Sequence, residues 1–545
     1  MMRNLINKLL LALLALSMLS LDACRKGNNG PSWDVDVLAP ILKTSLGVKN
    51  LVPDSLIQTN PDSSLTIVFD NTIFRLSLDT LVSLPDTSIK ERFDLPFGSF
   101  YLQPGQGIPT LNNLTNETKY NLKTVELTEA RIRSGFVSFE LSSSIPEMTV
   151  VSYSMPGFIK QGVPFSVSTQ VPAGSISNPA TAYVKFNLTG YDVDLKGTFG
   201  NDFNTILANI SVIIDVAAPD SVPITAGDFF EIKYNLEDII TDYAKGYFGQ
   251  YNISINQQID TLDFFNNVTS GFLDLESIDM QLSIENGFGM DAQIVIDTLN
   301  AINSSTGTDV FLNHAFIGTS INLIRASQVP SPGYRFTYSK YDLNINSTNS
   351  NVAEFIENFP DLLGHSYDIA INPWGNNSNG NDFFYFESDF KVSLKLQLPV
   401  SFSANALTIQ DTVLFSAAPS ENGTENNIVG GFLHLDVNNG FPYEAYIQLY
   451  LYDNNYNITD SLISNQANKI TAAPVDIGLR VTNKVLSRID IPVDENKVSN
   501  ILAAKNALIK VRFSTVPNSQ ILKIYAEYEI DLLLIGDFTY RINGN

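Results

Sequence analysis

The side chains that most often carry catalysis are sparse in this chain of 545 residues. It has three histidines, His314, His365 and His434, and none of them forms a metal-ligand pair at helical or hairpin spacing. The serine elbow, the phosphate-cradling glycine loop and the zinc-binding histidine helix are missing from the sequence. Two carboxylates suffice for a glycosidase, but among 57 acidic residues any pair is uninformative. We therefore expect structural histidines, no cofactor and a protein that is not an enzyme.

Two loops are rich in the oxygen ligands that calcium prefers, residues 376–382 and 453–457. Aligning the first loop with an EF-hand places Gly375 where an acidic ligand is needed. Asn and Gly also tolerate the positive φ of tight turns. Both loops are predicted to be turns, and no metal ligand is assigned.

Binding by aromatic side chains has a clearer pattern. From Tyr446 to Tyr452 the aliphatic residues occupy one face of a predicted strand and the tyrosines the other. A tyrosine ladder on a polar face suits contact with sugars or proteins, although cross-strand packing gives the same pattern. A second aromatic cluster surrounds the loop 376–382. The predicted binding surface comprises Tyr446, Tyr450, Tyr452, Tyr456, Trp374 and Phe384.

The only cysteine, Cys24, stands directly behind a hydrophobic leader. The leader begins with Arg3 and Lys8 and continues with an apolar run that is too short to span a bilayer. With cysteine as the first residue after the cut, it resembles the signal of a bacterial lipoprotein. An ordinary cleaved signal followed by an incidental thiol is the alternative.

The resemblance implies that Cys24 carries acyl chains such as palmitate, which anchor the protein to a membrane. Arg25 follows the cysteine, in place of the Asp that resembles an inner-membrane retention signal. We therefore expect the outer membrane of a Gram-negative cell. The sequence leaves open whether the protein faces the periplasm or the exterior.

The composition indicates a folded chain and disfavours nucleic acid as a partner. The formal net charge of −24 opposes binding to nucleic acid, whose phosphates require clustered Lys and Arg. With 44% hydrophobic and 17% charged residues the chain is expected to fold. After the leader we find no apolar run of about eighteen residues, so no further membrane span is predicted.

The period-two pattern after Ser32 predicts a mainly β fold: several antiparallel β-sandwich-like modules with a few short helices, arranged as an elongated chain. Two alternating runs, 391–404 and 522–534, imply long curved strands or strands that pass from one sheet to another. Pro399 makes the first run an edge strand or bends it. Short helices are predicted at 351–359, 494–504 and 237–245.

A Gly-Phe-aliphatic pattern recurs at Gly135, Gly271 and Gly431, and Asn-Gly-Phe follows the second and third copies. Asn-Gly between alternating runs predicts hairpins, and the long spacing suggests duplicated domains or a chance echo. The predicted division is a signal peptide at 1–23, a lipidated tether at 24–33, an N-terminal β-region at 34–124 and β-modules at 125–255, 256–420 and 421–545.

Together these patterns predict an outer-membrane lipoprotein with a structural or protein-interaction role, for example an accessory subunit of an outer-membrane complex. A glycan-binding surface lipoprotein is one alternative. A lipid-handling protein with an apolar groove, lined by residues such as Leu394, Leu396, Ile524 and Ile530, is another.

Overall fold

The computed structural model describes residues 32–50, 52–77, 86–95, 99–262, 265, 267–329, 335–415, 428–463, 468–517 and 520–543. The predicted signal peptide and Cys24 lie outside these ranges. Of the predicted tether, Ser32 and Trp33 are described, and they begin the first strand.

The predicted mainly β fold, built from several antiparallel sheets, is confirmed. The strands of the described ranges are β1 (Ser32–Gly47), β2 (Ile57–Thr59), β3 (Leu65–Ser77), β4 (Thr87–Asp94), β5 (Phe100–Leu102), β6 (Leu114–Lys119), β7 (Glu126–Ser143), β8 (Thr149–Lys160), β9 (Val163–Val171), β10 (Ala180–Asn187), β11 (Asp192–Asp194), β12 (Thr205–Ile214), β13 (Val222–Ile224), β14 (Phe229–Tyr247), β15 (Tyr251–Thr261), β16 (Val268–Leu275), β17 (Asp279–Asn286), β18 (Ala292–Asn303), β19 (Thr308–Phe311), β20 (Ser320–Leu323), β21 (Ser327–Val329), β22 (Arg335–Thr337), β23 (Ser339–Ile345), β24 (Leu362–Ile371), β25 (Asp382–Tyr385), β26 (Asp389–Pro399), β27 (Ser401–Leu414), β28 (Ile428–Asn439), β29 (Glu444–Tyr452), β30 (Ile458–Ser461), β31 (Lys469–Ile470), β32 (Val485–Val493), β33 (Asn506–Ser514), β34 (Leu522–Lys523) and β35 (Glu529–Asn543).

Two of the three predicted helices are confirmed, as α1 (Val352–Glu357) and α2 (Glu495–Ala503). The side chain of Asp494 caps α2 by accepting a hydrogen bond from the Lys497 N–H, which satisfies one of the free donors of the first turn. Short 3₁₀ turns occupy Val48–Asn50 and Asp54–Leu56.

The helix predicted at 237–245 is wrong, because this segment belongs to β14 and pairs with β7. Register shifts interrupt that pairing near Asp238 and before Gly246, and both residues have positive φ, at 53° and 153°. Each bulge inserts an extra residue and breaks the alternation of period two. The broken alternation imitates a helical spacing in the sequence.

Three units, which we call sandwich 1 (residues 114–247), sandwich 2 (251–399) and sandwich 3 (401–543), repeat one strand order. In each unit a first-sheet strand (β7, β17 or β28) pairs with the last strand (β14, β26 or β35) and with β10, β23 or β32. The next strand (β8, β18 or β29) begins a second set of paired strands, which is a separate sheet in sandwiches 2 and 3 and is joined to the first set through β11 in sandwich 1. In this second set it pairs with two strands of its unit. One is β9, β19 or β30, and the other is β12, β24 or β33. The second of these strands (β12, β24 or β33) also pairs with the strand that opens the unit (β6, β15 or β27).

The shared order of these pairings in three successive units indicates that they are repeats of one sandwich. The predicted modules do not begin where these sandwiches begin. The module predicted from residue 125 begins after β6, the opening strand of sandwich 1. The module predicted from residue 256 begins inside β15, and the one predicted from residue 421 begins after β27.

The predicted N-terminal β-region does not keep its strands together. β1 pairs with β35 of sandwich 3, β3 with β26 of sandwich 2 and β4 with β14 of sandwich 1. The segment therefore runs along the three sandwiches in reverse order and adds one strand to the first sheet of each. Buried side chains such as Leu46 and Ile67 join these strands to the common core.

Both long alternating runs pass between sheets. The first divides at Val400, where β26 of sandwich 2 ends and β27 of sandwich 3 begins. β26 lies between β3 and β17, so Pro399 marks a bend and not an edge strand. The second run is broken by a turn in which the Tyr528 N–H bonds to the Tyr525 carbonyl at 3.0 Å, so it is not one continuous strand.

The hairpins predicted at residues 286–288 and 439–441 are wrong. β17 and β18 lie in different sheets, and so do β28 and β29, so these Asn-Gly corners carry the chain across the sandwich. At the equivalent corner of sandwich 1, the Ser143 hydroxyl accepts a hydrogen bond from the Ile145 N–H. The sequence signal marked the turn correctly, but the partner of the following strand was set by the rest of the sandwich.

Asn439 holds its corner with three hydrogen bonds. Its amide donates to the Tyr443 carbonyl at 3.0 Å and to the Thr471 carbonyl at 2.8 Å, and its oxygen accepts from the Phe441 N–H at 2.9 Å. Asn286 makes the same kinds of bonds at the corner of sandwich 2. Both asparagines are fully buried.

We expect Asn439→Ala to lower the free energy of unfolding by about 1–3 kcal/mol, because buried donors and acceptors lose their partners. The exposed neighbour Asn438 supplies the matched control, Asn438→Ala, which should change it by less than about 0.5 kcal/mol. Urea unfolding of the two variants measures the difference, and equal small effects would contradict the assignment.

Two of the three Gly-Phe copies are equivalent. Gly135 in β7 and Gly431 in β28 occupy the same strand of their sandwiches, with φ of 141° and 144°. A Cβ on Gly431 would lie 2.0 Å from the Asp537 carbonyl oxygen of the neighbouring strand. Gly271 lies in β16, which pairs with β27 and has a different place in the topology.

Candidate functional site

The tyrosines predicted as a binding surface project from β29. Tyr446, Tyr450 and Tyr452 are half-buried, whereas the aliphatic residues between them, Ile447, Leu449 and Leu451, are completely buried. The alternation arises because successive side chains of a strand point to opposite faces. Tyr446 and Tyr450 are separated by about 13 Å along the strand, and Tyr450 and Tyr452 by about 7 Å.

Neighbouring strands complete this surface. On β33, Arg512 lies opposite Tyr446, Lys510 opposite Gln448 and Leu508 opposite Tyr450. On the other side, Lys469 of β31 pairs with Tyr446. We use the name tyrosine face for the outward side chains Tyr446, Gln448, Tyr450, Tyr452, Lys469, Leu508, Lys510 and Arg512.

The tyrosine face concentrates positive charge on an acidic protein. The Arg512 guanidinium lies 5.0 Å from the centroid of the Tyr446 ring, and the Lys510 ammonium lies 5.7 Å from that of Tyr450. Lys469 bonds to the Glu444 carboxylate at 2.8 Å, and this bond raises the pKa of the lysine. Across the described part of the chain, neither Lys510 nor Arg512 has a carboxylate within 4.0 Å.

The other predicted aromatic residues do not join this face. Tyr456 lies in the loop after β29 and is 69% exposed, and Trp374 lies after β24 and is 49% exposed. Phe384 is only 1% exposed, so its assignment to a binding surface is wrong. Its ring packs against Phe248 and Phe288, with centroids 6.5 and 6.4 Å away, because β25 pairs with β14.

β25 instead forms the joint between sandwich 1 and sandwich 2. Arg325 bridges two carboxylates there, Asp291 at 2.9 Å and the buried Asp382 at 3.1 Å. The Asn372 amide donates to Asp382 at 2.8 Å and to the Gly249 carbonyl at 3.1 Å. Sequence reasoning missed this network because its members come from four separate stretches of the chain.

The three histidines have separate partners. The buried His365 contacts an Asp260 carboxylate oxygen through Nε2 at 2.9 Å. His434 contacts Asp490 through Nδ1 at 2.6 Å. His314 accepts a hydrogen bond from the backbone through Nδ1, and burial lowers its pKa.

The oxygen-rich loops have the hydrogen bonds of turns. In the first, the Asn376 side-chain oxygen accepts from the Gly380 N–H at 2.8 Å. In the second, Asp453 accepts from the Asn455 and Asn457 N–H groups, and hydrogen bonds from Asn457 lower its pKa. Within the described ranges, no group of three or more His, Cys, Asp or Glu side chains is arranged to hold a metal ion.

The proposed lipid groove has no counterpart at the residues predicted to line it. Leu394, Leu396 and Ile530 are buried in the core at 2% exposure or less. The apolar cavity beside Ile524 has a volume of about 30 Å³, which is far too small for an acyl chain. A larger, mostly open cleft of about 540 Å³ lies between β16, the β18–β19 turn and α1.

Known proteins give little guidance. No family model and no curated protein matches the chain. A "putative secreted protein" of Parabacteroides distasonis is 12% identical with a TM-score of 0.26, over 52% of this chain and 82% of that one. Particles derived from infectious bursal virus give 10% identity and a TM-score of 0.10, over 91% and 83% of the two chains. Scores this low carry no argument about fold or function. Among the described residues, no helix has the length and apolar character needed to cross a membrane.

Proposed function

We propose that the protein is a lipoprotein of the Gram-negative outer membrane, anchored through an acylated Cys24, that binds an acidic protein partner through the tyrosine face. The observation that carries the binding proposal is the pairing of half-exposed tyrosines with cations that lack carboxylate partners among the described residues. Tyr and Arg are enriched at protein interfaces and at their energetic centres.

The cations that lie near the tyrosine rings favour a protein partner over a glycan. A sugar that stacks on tyrosine needs a free ring face, whereas Arg512 and Lys510 already lie near the rings of Tyr446 and Tyr450. The same cations suit carboxylates on a partner, since complementary charge speeds association and selects the register. The chain as a whole is strongly acidic, with a formal net charge of −24, so an acidic partner would be repelled from most of its surface.

Site-specific photocrosslinking tests the surface. A benzophenone amino acid at Tyr450 should give a discrete adduct in intact cells, and the same residue at the exposed Tyr183 of sandwich 1 should not. The variant Lys510→Glu, Arg512→Glu should reduce the adduct by about tenfold or more, because repulsion replaces attraction. Equal crosslinking from the two positions, or an adduct indifferent to the charge reversal, would contradict the proposal.

Replacing the three ladder tyrosines by serine provides a second test. Tyr446→Ser, Tyr450→Ser, Tyr452→Ser should abolish co-purification of the crosslinked partner. The matched control replaces three exposed tyrosines elsewhere, Tyr101, Tyr183 and Tyr341, and should leave it intact. Loss of binding to envelope glycans in the first variant, with no protein adduct, would support the glycan alternative.

A further inference from the structure

The beginning of β1 and the end of β35 form an antiparallel pair with an apolar face, and among the described residues β28 accompanies this pair only as far as Tyr540. Trp33 lies opposite Ile542, Val35 opposite Tyr540 and Val37 opposite Phe538. Directly opposed residues of an antiparallel pair share a face, so these six side chains lie together. We call them the apolar ribbon.

The apolar ribbon continues the core face of sandwich 3 past the end of the core. Phe538 is 4% exposed, whereas Trp33 is 50%, Val35 38% and Ile542 41% exposed. The third strand, β28, begins at Ile428 opposite Tyr540, so within the described ranges it does not extend along the last residues of β35.

The opposite face of the same ribbon is polar. Arg541 forms two hydrogen bonds with the Asp34 carboxylate, at 3.0 and 3.2 Å, and the Thr539 hydroxyl donates to Asp36 at 2.9 Å. The ribbon is therefore amphipathic, with one face suited to water and one suited to an apolar environment.

The position of the ribbon in the chain indicates what covers the apolar face. Cys24 precedes Ser32 by only eight residues. An extended chain of that length spans at most about 28 Å, so acyl chains on Cys24 would keep the ribbon within this distance of the bilayer. Arg25 and Lys26 in the intervening segment would attract anionic head groups.

We infer that the apolar ribbon is a second membrane contact, seated in the head-group region of the bilayer that holds the acyl chains. The inference rests on the proposed acylation of Cys24. Trp and Tyr favour the membrane interface because their rings are apolar and their polar atoms remain hydrated. Sandwich 3 then lies next to the membrane, and sandwiches 2 and 1 follow along the N-terminal segment.

Tryptophan fluorescence tests this contact directly. The chain has two tryptophans, so Trp374→Phe leaves Trp33 as the only one. The probe is a vesicle of phosphatidylethanolamine and phosphatidylglycerol at a 3:1 ratio, with or without bromine on the acyl chains. We expect acylated full-length protein in these vesicles to show blue-shifted Trp33 emission that brominated lipid quenches and acrylamide does not.

A matched pair of variants separates the ribbon from general hydrophobicity. In unacylated protein (Cys24→Ser), the changes Val35→Ser, Val37→Ser and Ile542→Ser should weaken vesicle binding by about tenfold or more. Serine at three exposed apolar positions elsewhere, Phe199, Phe272 and Ile477, should leave it unchanged.

Each outcome has a distinct meaning. Unquenched, acrylamide-accessible Trp33 in the acylated protein would overturn the membrane contact even if the anchor is intact. A concentration-dependent dimer that the ribbon changes dissolve would also overturn it, in favour of a second copy of the chain. Failure of cells to attach lipid to Cys24 would refute the proposed anchor, and vesicle binding by the unacylated protein would still test the ribbon.

Discussion

Replacing Arg325 by methionine is expected to lower the free energy of unfolding by about 3 kcal/mol, because the change leaves a buried carboxylate without its cation. Asp382 is 1% exposed and Asp291 is 21% exposed, and Arg325 is the cation bonded to both. Because these residues lie where β25 pairs with β14, the destabilisation should be greatest at the joint of sandwiches 1 and 2. Urea unfolding, with hydrogen exchange of the β14 amides, measures both effects.

An exposed ion pair of similar geometry provides the control. Arg541 and Asp34 are about half-exposed, and Arg541→Met should cost less than about 1 kcal/mol, since water screens such pairs. Adding Asp382→Asn to Arg325→Met should recover part of the loss by removing the unpaired charge. If the double variant is no more stable than Arg325→Met alone, the destabilisation does not come from the stranded carboxylate.

Replacing Leu46 by aspartate is expected to detach β1 from sandwich 3, at a cost of about 4 kcal/mol or more. Leu46 is 1% exposed and lies opposite Ile530, in the half of β1 that packs into the core. A carboxylate cannot be buried there without a partner, so the strand must leave the sheet. Hydrogen exchange should then show loss of protection at the β35 amides that bond to β1, while β28 keeps its pairing on the other side.

The exposed Lys43, three residues earlier in the same strand, supplies the control Lys43→Ser, which should leave β35 protected. An uncovered β35 also presents a free strand edge, so Leu46→Asp should aggregate more readily than the control. Unchanged protection of β35 in Leu46→Asp would show that β1 contributes little to sandwich 3.

The sequence predicted well those features that depend on neighbouring residues. The alternation of Ile447, Leu449 and Leu451 with tyrosines predicted the two faces of β29 correctly. Successive side chains of a strand point to opposite faces, so the burial of one face produces an alternation with a period of two residues. Similarly, α2 was predicted within residues 494–504, and its Asp494 cap bonds to an amide only three residues away.

Features that depend on distant partners were decided by the tertiary structure. Alternation shows that a residue is half-buried but not which strand lies beside it, so Asn-Gly corners that join two sheets were predicted as hairpins. The bulges of β14 broke the alternation and imitated a helix. Phe384 was predicted to belong to a surface cluster, but it is buried because β25 pairs with β14.

The sequence alone thus determined the class of fold and the leader-cysteine pattern at Cys24 that resembles a lipoprotein signal. Only the tertiary structure showed that the N-terminal segment adds one strand to each of three repeated sandwiches, and that Trp33 meets Ile542 from the opposite end of the chain. The physical reason is that strand pairing and burial are non-local. They depend on which surfaces remain unpaired once the whole chain has folded, and no window of neighbouring residues contains that information.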